Sequence, residues 1–185
     1  MLNKVLFDYT NAFGPLFQLH QNIIDSNLMK SLLYESNLTT EKIQEIVLNN
    51  LDFLKEMINL NNINLNTTKI EIVYRNNGPE DKYSMKWHID DKQVMKKNIQ
   101  EVYNMEIIYQ NDKHIYALYG TKNPKYSIVL YLDSHNIDFQ GGEFHFQNET
   151  ILPQRGDVLI FDSRIVHKVD LLTSGRRRAI LIKIY

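Results

Sequence analysis

From residue 68 onward the chain is a succession of apolar segments of strand length, each closed by turn-forming residues. Lys69 to Tyr74 alternates and runs into Asn76-Asn77-Gly78-Pro79. Residues 105–119 read as a hairpin turning at Asn111-Asp112-Lys113. Further strands are expected at 126–132, 143–147, 157–162 and 177–185, with Gly, Pro or Asn between them. Alternation gives a strand one apolar face to cover, so this many short strands have to close on each other as a sandwich or a barrel.

The first 67 residues are patterned differently. Residues 1–20 suggest an extended or strand-like lead-in around Gly14-Pro15, and 22–36 a helix. From Thr40, the residues Ile43, Ile46, Val47, Leu51, Leu54, Met57 and Ile58 recur at three- and four-residue steps, with Glu41 in the first turn. Asn59 to Asn66 favours turns and ends the helix. An amphipathic helix needs a partner surface. The expected fold is therefore α+β, mainly β, with a sheet sandwich or barrel backed by N-terminal helices. At 185 residues the chain is read as one domain, 1–185, with 1–67 as helical support and 68–185 as the β core.

Composition removes several classes of function. The chain has no cysteine, which excludes disulfides, zinc–thiolate sites and a thiol nucleophile. A net charge of −1 argues against a dedicated nucleic-acid binder, although Arg176, Arg177 and Arg178 are adjacent. The longest apolar runs, such as Ile128 to Leu132, are strand-length, so no membrane span is expected. The N-terminus lacks the apolar stretch of a signal peptide, and an intracellular, cytoplasmic location is expected.

Two segments carry the chemistry: Trp87-His88-Ile89-Asp90, and His167 followed ten residues later by Arg177. On a strand, positions 88 and 90 share a side, and His167 follows the strand Asp157 to Phe161. Two imidazoles and one carboxylate can cap a triangular face of an octahedral Fe(II) and leave the other positions open. A lone His is more often structural, and H-x-D also occurs by chance. The surrounding segments raise the weight of the pattern. They read Tyr126-Ser-Ile-Val-Leu-Tyr-Leu-Asp133, Phe139-Gln-Gly-Gly-Glu-Phe144, Pro153-Gln-Arg-Gly-Asp-Val-Leu-Ile-Phe161 and Ser174-Gly-Arg-Arg-Arg-Ala-Ile-Leu181.

In the order and spacing of these motifs, residues 68–185 closely resemble the prolyl 4-hydroxylase-like branch of the Fe(II)/2-oxoglutarate-dependent dioxygenases. The resemblance implies a double-stranded β-helix (a jelly-roll, cupin-like barrel) with His88, Asp90 and His167 as Fe(II) ligands. It implies 2-oxoglutarate and O2 as cosubstrates, ascorbate as an auxiliary, and a peptide or protein substrate hydroxylated most naturally at proline. The family pattern His…Gly-x-Arg selects Arg177 for the distal carboxylate of 2-oxoglutarate.

Alternation then turns Ala179, Leu181 and Lys183 to the same side as Arg177, and Lys183 is odd beside an apolar pocket. With Arg178 as anchor instead, Ile180, Ile182 and Ile184 would face inward. Tyr131 aligns with a family position that hydrogen-bonds the cosubstrate, and Tyr74 aligns more loosely; both also read as core aromatics. Trp87 and Lys86 sit where a substrate entrance would be. Alkylated nucleic acid, a small molecule, or a binding module without turnover are the competing readings of the same barrel. Oligomeric state is not encoded in any of these features.

Overall fold

The computed structural model describes residues 5–11, 14–22, 24, 26–34, 39–50, 70–90, 95–96, 106–110, 114–118, 126–163 and 165–185. The chain opens with strands β1 (Val5–Asn11) and β2 (Gly14–His20), followed by helices α1 (Ser26–Tyr34) and α2 (Thr40–Asn49). Then come β3 (Ile70–Asn77), β4 (Met85–His88), β5 (Met95–Lys96), β6 (Glu106–Gln110), β7 (His114–Leu118) and β8 (Tyr126–Tyr131). The last are β9 (Phe139–Gly141), β10 (Phe144–Phe146), β11 (Thr150–Ile151), β12 (Val158–Asp162), β13 (His167–Val169), β14 (Leu172–Gly175) and β15 (Arg177–Ile184).

Helix α2 begins where the sequence signals it. The Thr39 hydroxyl accepts from the Lys42 N–H at 3.3 Å, satisfying one of the amides a helix start leaves without a partner. The expected continuation to residue 58 lies outside the described residues, as does the hairpin turn at 111–113. The hairpin itself is present as β6 and β7, paired antiparallel.

Six strands form the main sheet in the order β1-β2-β12-β8-β15-β3, and β11-β10-β13-β4 form a second. The pairings within both are antiparallel. Alternation sends the side chains of the main sheet into two separate cores. Ile128, Leu130, Val158, Ile160, Ile180, Ile182 and Ile184 meet Leu28 and Leu32 of α1 and Ile43 and Val47 of α2. On the other face Phe17, Leu19, Val129, Tyr131, Leu159, Phe161 and Ala179 meet Phe144, Phe146, Ile151 and Val169 of the second sheet. Both faces of β8 are covered, which is why its sequence is apolar almost without interruption. These two sheets are the jaws of a double-stranded β-helix, with the helices on its outer face.

Two features of this arrangement bear on the site. The three isoleucines of β15 face the helices rather than the barrel interior, so they satisfy a core of their own while Arg177, Ala179, Leu181 and Lys183 face inward. The N-terminal segment is more than helical support. Strand β2 pairs with β12 in the register Leu159↔Leu19 and Phe161↔Phe17, which places two apolar side chains of the first twenty residues inside the barrel.

Candidate active site

Strands β4 and β13 lie side by side with His88 and His167 directly opposite in the register. Their ring centroids are 4.2 Å apart. Asp90 sits just past the end of β4, where its N–H donates to the Ser163 carbonyl at 3.2 Å and the buried Ile89 anchors the turn. One ligand-capable atom from each of His88, Asp90 and His167 lies within 4.8 Å of the other two.

The tautomers follow from the hydrogen bonds. Nδ1–H of His88 donates to the Lys86 carbonyl at 2.7 Å, and Nδ1–H of His167 donates to the Ile165 carbonyl at 2.9 Å. Each ring therefore carries its lone pair on Nε2, the form in which a histidine ligates a metal. Nε2 of His88 is buried without a hydrogen-bond partner. A buried polar atom without a partner costs about 1–3 kcal/mol unless something else occupies it. A metal ion does so, and the donor set suits Fe(II).

His167 stacks on Phe144 at 5.1 Å and meets the edge of Phe161 at 4.8 Å. This burial depresses its pKa to about 4, against the opposing pull of the Asp90 carboxylate. The ring is thus neutral at physiological pH and its lone pair stays available. Asp90 is also held by side chains: the Ser127 hydroxyl donates to its Oδ2, and the Lys183 ammonium stands 3.6 Å from its Oδ1.

On the same inner face of β8 and β15, Arg177 is only 4% exposed, and its guanidinium lies 5.5 Å from the ring centre of Tyr131. Arg177 Nε and Tyr131 Oη are both buried without hydrogen-bond partners. Burial pushes the Tyr131 phenol up to about 12 despite the nearby cation, so the hydroxyl remains a proton donor. Asn77, opposite Arg177 in the β3–β15 register, adds a third buried polar atom without a partner, its Oδ1. A buried cation and a phenol awaiting an acceptor match a carboxylate.

The backbone makes room for the arginine. At Gly142, φ is +67°, and a Cβ there would come within 3.4 Å of the Arg177 Cδ.

The neighbouring arginines are otherwise engaged. Arg178 points to the helix side of the sheet, where its Nη2 meets Asp133 at 2.6 Å, and its own N–H donates to the same carboxylate at 2.8 Å. Arg176 lies at the exposed rim, paired with Glu80 at 2.7 Å. Tyr74 is not brought to the triad. It pairs in register with Ile180, packs against the helix-side core and lies near Arg178, because the strand places it one residue out of phase with the inner face.

The aromatic that does reach the inner core from this part of the chain is Tyr83, whose hydroxyl donates to the Met85 sulfur at 3.0 Å. A tyrosine five residues before the His-x-Asp pair was the available sequence signal. Trp87 alternates away from His88, and Lys168 Nζ lies 5.6 Å from its ring centre. Glu143 and His145 belong to a surface network. His145 bonds Thr150 at 2.9 Å and Asp170 at 2.7 Å, while Glu143 meets His135 at 3.1 Å.

A family model described as the 2OG-Fe(II) oxygenase superfamily matches residues 73–185. The chain belongs to that superfamily. With membership come its cofactors, Fe(II), 2-oxoglutarate and O2.

Comparison with curated protein sequences finds no match. Among solved structures the chain is similar to the viral collagen prolyl hydroxylase of Paramecium bursaria Chlorella virus-1 in its 2-oxoglutarate complex. That match has 13% identity, covers 95% of this chain and 98% of the other, and has a TM-score of 0.51. A Pseudomonas putida prolyl-4-hydroxylase matches at 13% identity over 91% and 87% of the two chains, with a TM-score of 0.53. HygX of Streptomyces hygroscopicus, with nickel and 2-oxoglutarate bound, matches at 11% identity over 91% and 81%, with a TM-score of 0.55. At such identities the likeness is one of fold. Among the described residues no helix is long and apolar enough to cross a membrane.

Proposed function

We propose that this oxygenase hydroxylates a peptide or protein side chain, with proline the leading candidate, and that it releases succinate and CO2. His88, Asp90 and His167 are its iron ligands and Arg177 its anchor for 2-oxoglutarate. The observation that carries the site assignment is the pairing of two sets of unsatisfied buried groups on one barrel interior. One is the lone-pair nitrogen of His88 within the triad, and the other is the Arg177 guanidinium beside the Tyr131 hydroxyl.

Bound iron and 2-oxoglutarate supply the oxidative chemistry that couples decarboxylation of the cosubstrate to hydroxylation by O2. The protein's own groups do the rest. Two backbone carbonyls fix the His88 and His167 rings, and Ser127 and Lys183 fix the Asp90 carboxylate. Arg177 and Tyr131 present one cation and one O–H to the distal carboxylate, with Ala179 leaving space on the face between Arg177 and Leu181. The packed rings of Phe144 and Phe161 keep water from His167.

The peptidyl reading is supported by the similarity to two prolyl hydroxylases. A small-molecule substrate is the second reading, favoured by the similarity to HygX, which is also known with hygromycin B bound. Succinate release with Fe(II), 2-oxoglutarate and ascorbate separates them, run with proline-containing peptides, an aminoglycoside, methylated oligonucleotides or no addition. Stimulation by a peptide together with a mass gain of one oxygen establishes the first reading, and stimulation by the aminoglycoside alone replaces it with the second. Stimulation by the oligonucleotide alone also refutes the peptidyl reading.

A further inference from the structure

Lys183 is a buried ammonium on an otherwise apolar stretch of barrel wall. Its side chain is 11% exposed, and it stands 3.6 Å from Oδ1 of Asp90, whose own side chain is 5% exposed. The inward neighbours along β15 are Leu181 and Ala179, and across the sheet are Val129 and, beyond Ser127, Phe161. Within this packing the ammonium faces the Asp90 carboxylate. Burying an ion pair costs several kcal/mol per ion, and losing one partner leaves the other charge buried and uncompensated.

Orientation of Asp90 does not require a charge. The Ser127 hydroxyl already holds Oδ2, and Ser127 is the cross-strand neighbour of Lys183 on β8. The other carboxylate beside it in the register, Glu71 on β3, receives the Tyr185 hydroxyl at 2.9 Å.

The geometry points to Lys183 as a fixed counter-charge that cancels Asp90 and thereby couples metal binding to cosubstrate binding. This rests on the assignment of Asp90 as an iron ligand. With Lys183 in place, the ligand set of two neutral imidazoles, one carboxylate and one ammonium carries no net charge. A bare dication then gains less from entering the site. A dianionic cosubstrate gains more once the metal is there, because the metal's positive charge is no longer offset by the site. Lys183 therefore weakens the metal alone and strengthens 2-oxoglutarate on the metal-loaded protein. One unit charge acting over a few ångströms at an effective dielectric near 20 is easily worth about tenfold in each equilibrium. Lys183 acts through Asp90 and through the field, so it is a positioning residue rather than a catalytic one.

The test is equilibrium binding of Mn(II), a redox-inert stand-in, followed by 2-oxoglutarate on the Mn(II)-loaded protein. It compares wild type with Lys183→Met, Lys183→Gln, Lys183→Arg, Glu71→Gln and Asp90→Ala, each checked for native circular dichroism. Lys183→Met and Lys183→Gln are expected to bind Mn(II) about tenfold more tightly and 2-oxoglutarate about tenfold more weakly. Lys183→Arg and Glu71→Gln should stay within about threefold of wild type on both measures. A merely structural role moves both affinities in the same direction. Weakening of both, or a change in neither, overturns the inference while Asp90→Ala still loses Mn(II). Retention of Mn(II) by Asp90→Ala is a different result: it removes the ligand assignment and, with it, this inference.

Discussion

At the scale of single residues the account turns on which side of β15 each arginine faces. Arg177 stands in the barrel with a phenol beside it, whereas Arg178 is spent on Asp133, whose side chain is 2% exposed. Arg177→Ala is therefore expected to weaken 2-oxoglutarate binding by about 2–4 kcal/mol, the worth of charge-assisted hydrogen bonds to a carboxylate. Arg178→Ala should leave that affinity within about threefold and instead lower stability, because it removes the guanidinium that pairs most closely with a buried carboxylate. Calorimetric titration with 2-oxoglutarate and denaturant melts of both variants check the split; the reverse assignment would show the reverse pattern.

His167 makes a second prediction at this scale. Its folded pKa of about 4 lies below the ordinary value of 6.5, so between these values the unfolded chain binds the extra proton. Metal-free protein is then expected to lose on the order of 2–3 kcal/mol of stability as pH falls from 6.5 through 4, with no contribution from His167 above that window. NMR titration of the His167 ring in metal-free protein should give a midpoint near 4. A midpoint near 6.5 would mean that the ring is not buried between Phe144 and Phe161 as described.

At the scale of elements, the sheet β1-β2-β12-β8-β15-β3 separates two jobs. Its outer face carries stability through α1 and α2, and its inner face carries the site. Leu32 of α1 is fully buried against that outer face. Leu32→Ala should cost about 2–5 kcal/mol in unfolding free energy while leaving Mn(II) affinity unchanged below the melting transition. Gly175 is the contrasting case. Its φ is +74°, and a Cβ there would lie 2.0 Å from the Asp138 carbonyl oxygen, at the turn that delivers Arg177 to β15. Gly175→Ala is expected to lower both the melting temperature and the 2-oxoglutarate affinity, measured on the same preparation.

Much of this was legible in the sequence. Period-two alternation from Arg177 correctly placed Ala179, Leu181 and Lys183 together, and the Thr-initiated periodicity gave the start of α2. Alternation alone leaves open which side Ile180, Ile182 and Ile184 take, and the helix layer packed behind the sheet decides it. Tyr74 fails for a related reason: its neighbour in sequence, not Tyr74 itself, shares the phase of the inner face. The pairing of β2 with β12 has no local signature, since a strand's partner is set by long-range packing of side chains such as Phe17 and Leu19.

At the scale of the whole molecule, the fold brings His88, Asp90 and His167 together from two segments about eighty residues apart in sequence, and sets an arginine on the same interior. Asp90, His167 and Arg177 are buried between the two sheets, where charge interactions are stronger than in water. The central claim is that this triad holds the iron that turns over 2-oxoglutarate. The most direct measurement is iron-dependent succinate formation from 2-oxoglutarate by wild type and by the His88→Ala, Asp90→Ala double variant, both verified as folded. The account predicts succinate from wild type, abolished by chelation and reduced at least about a hundredfold in the variant. Comparable iron-dependent succinate from the double variant would contradict it.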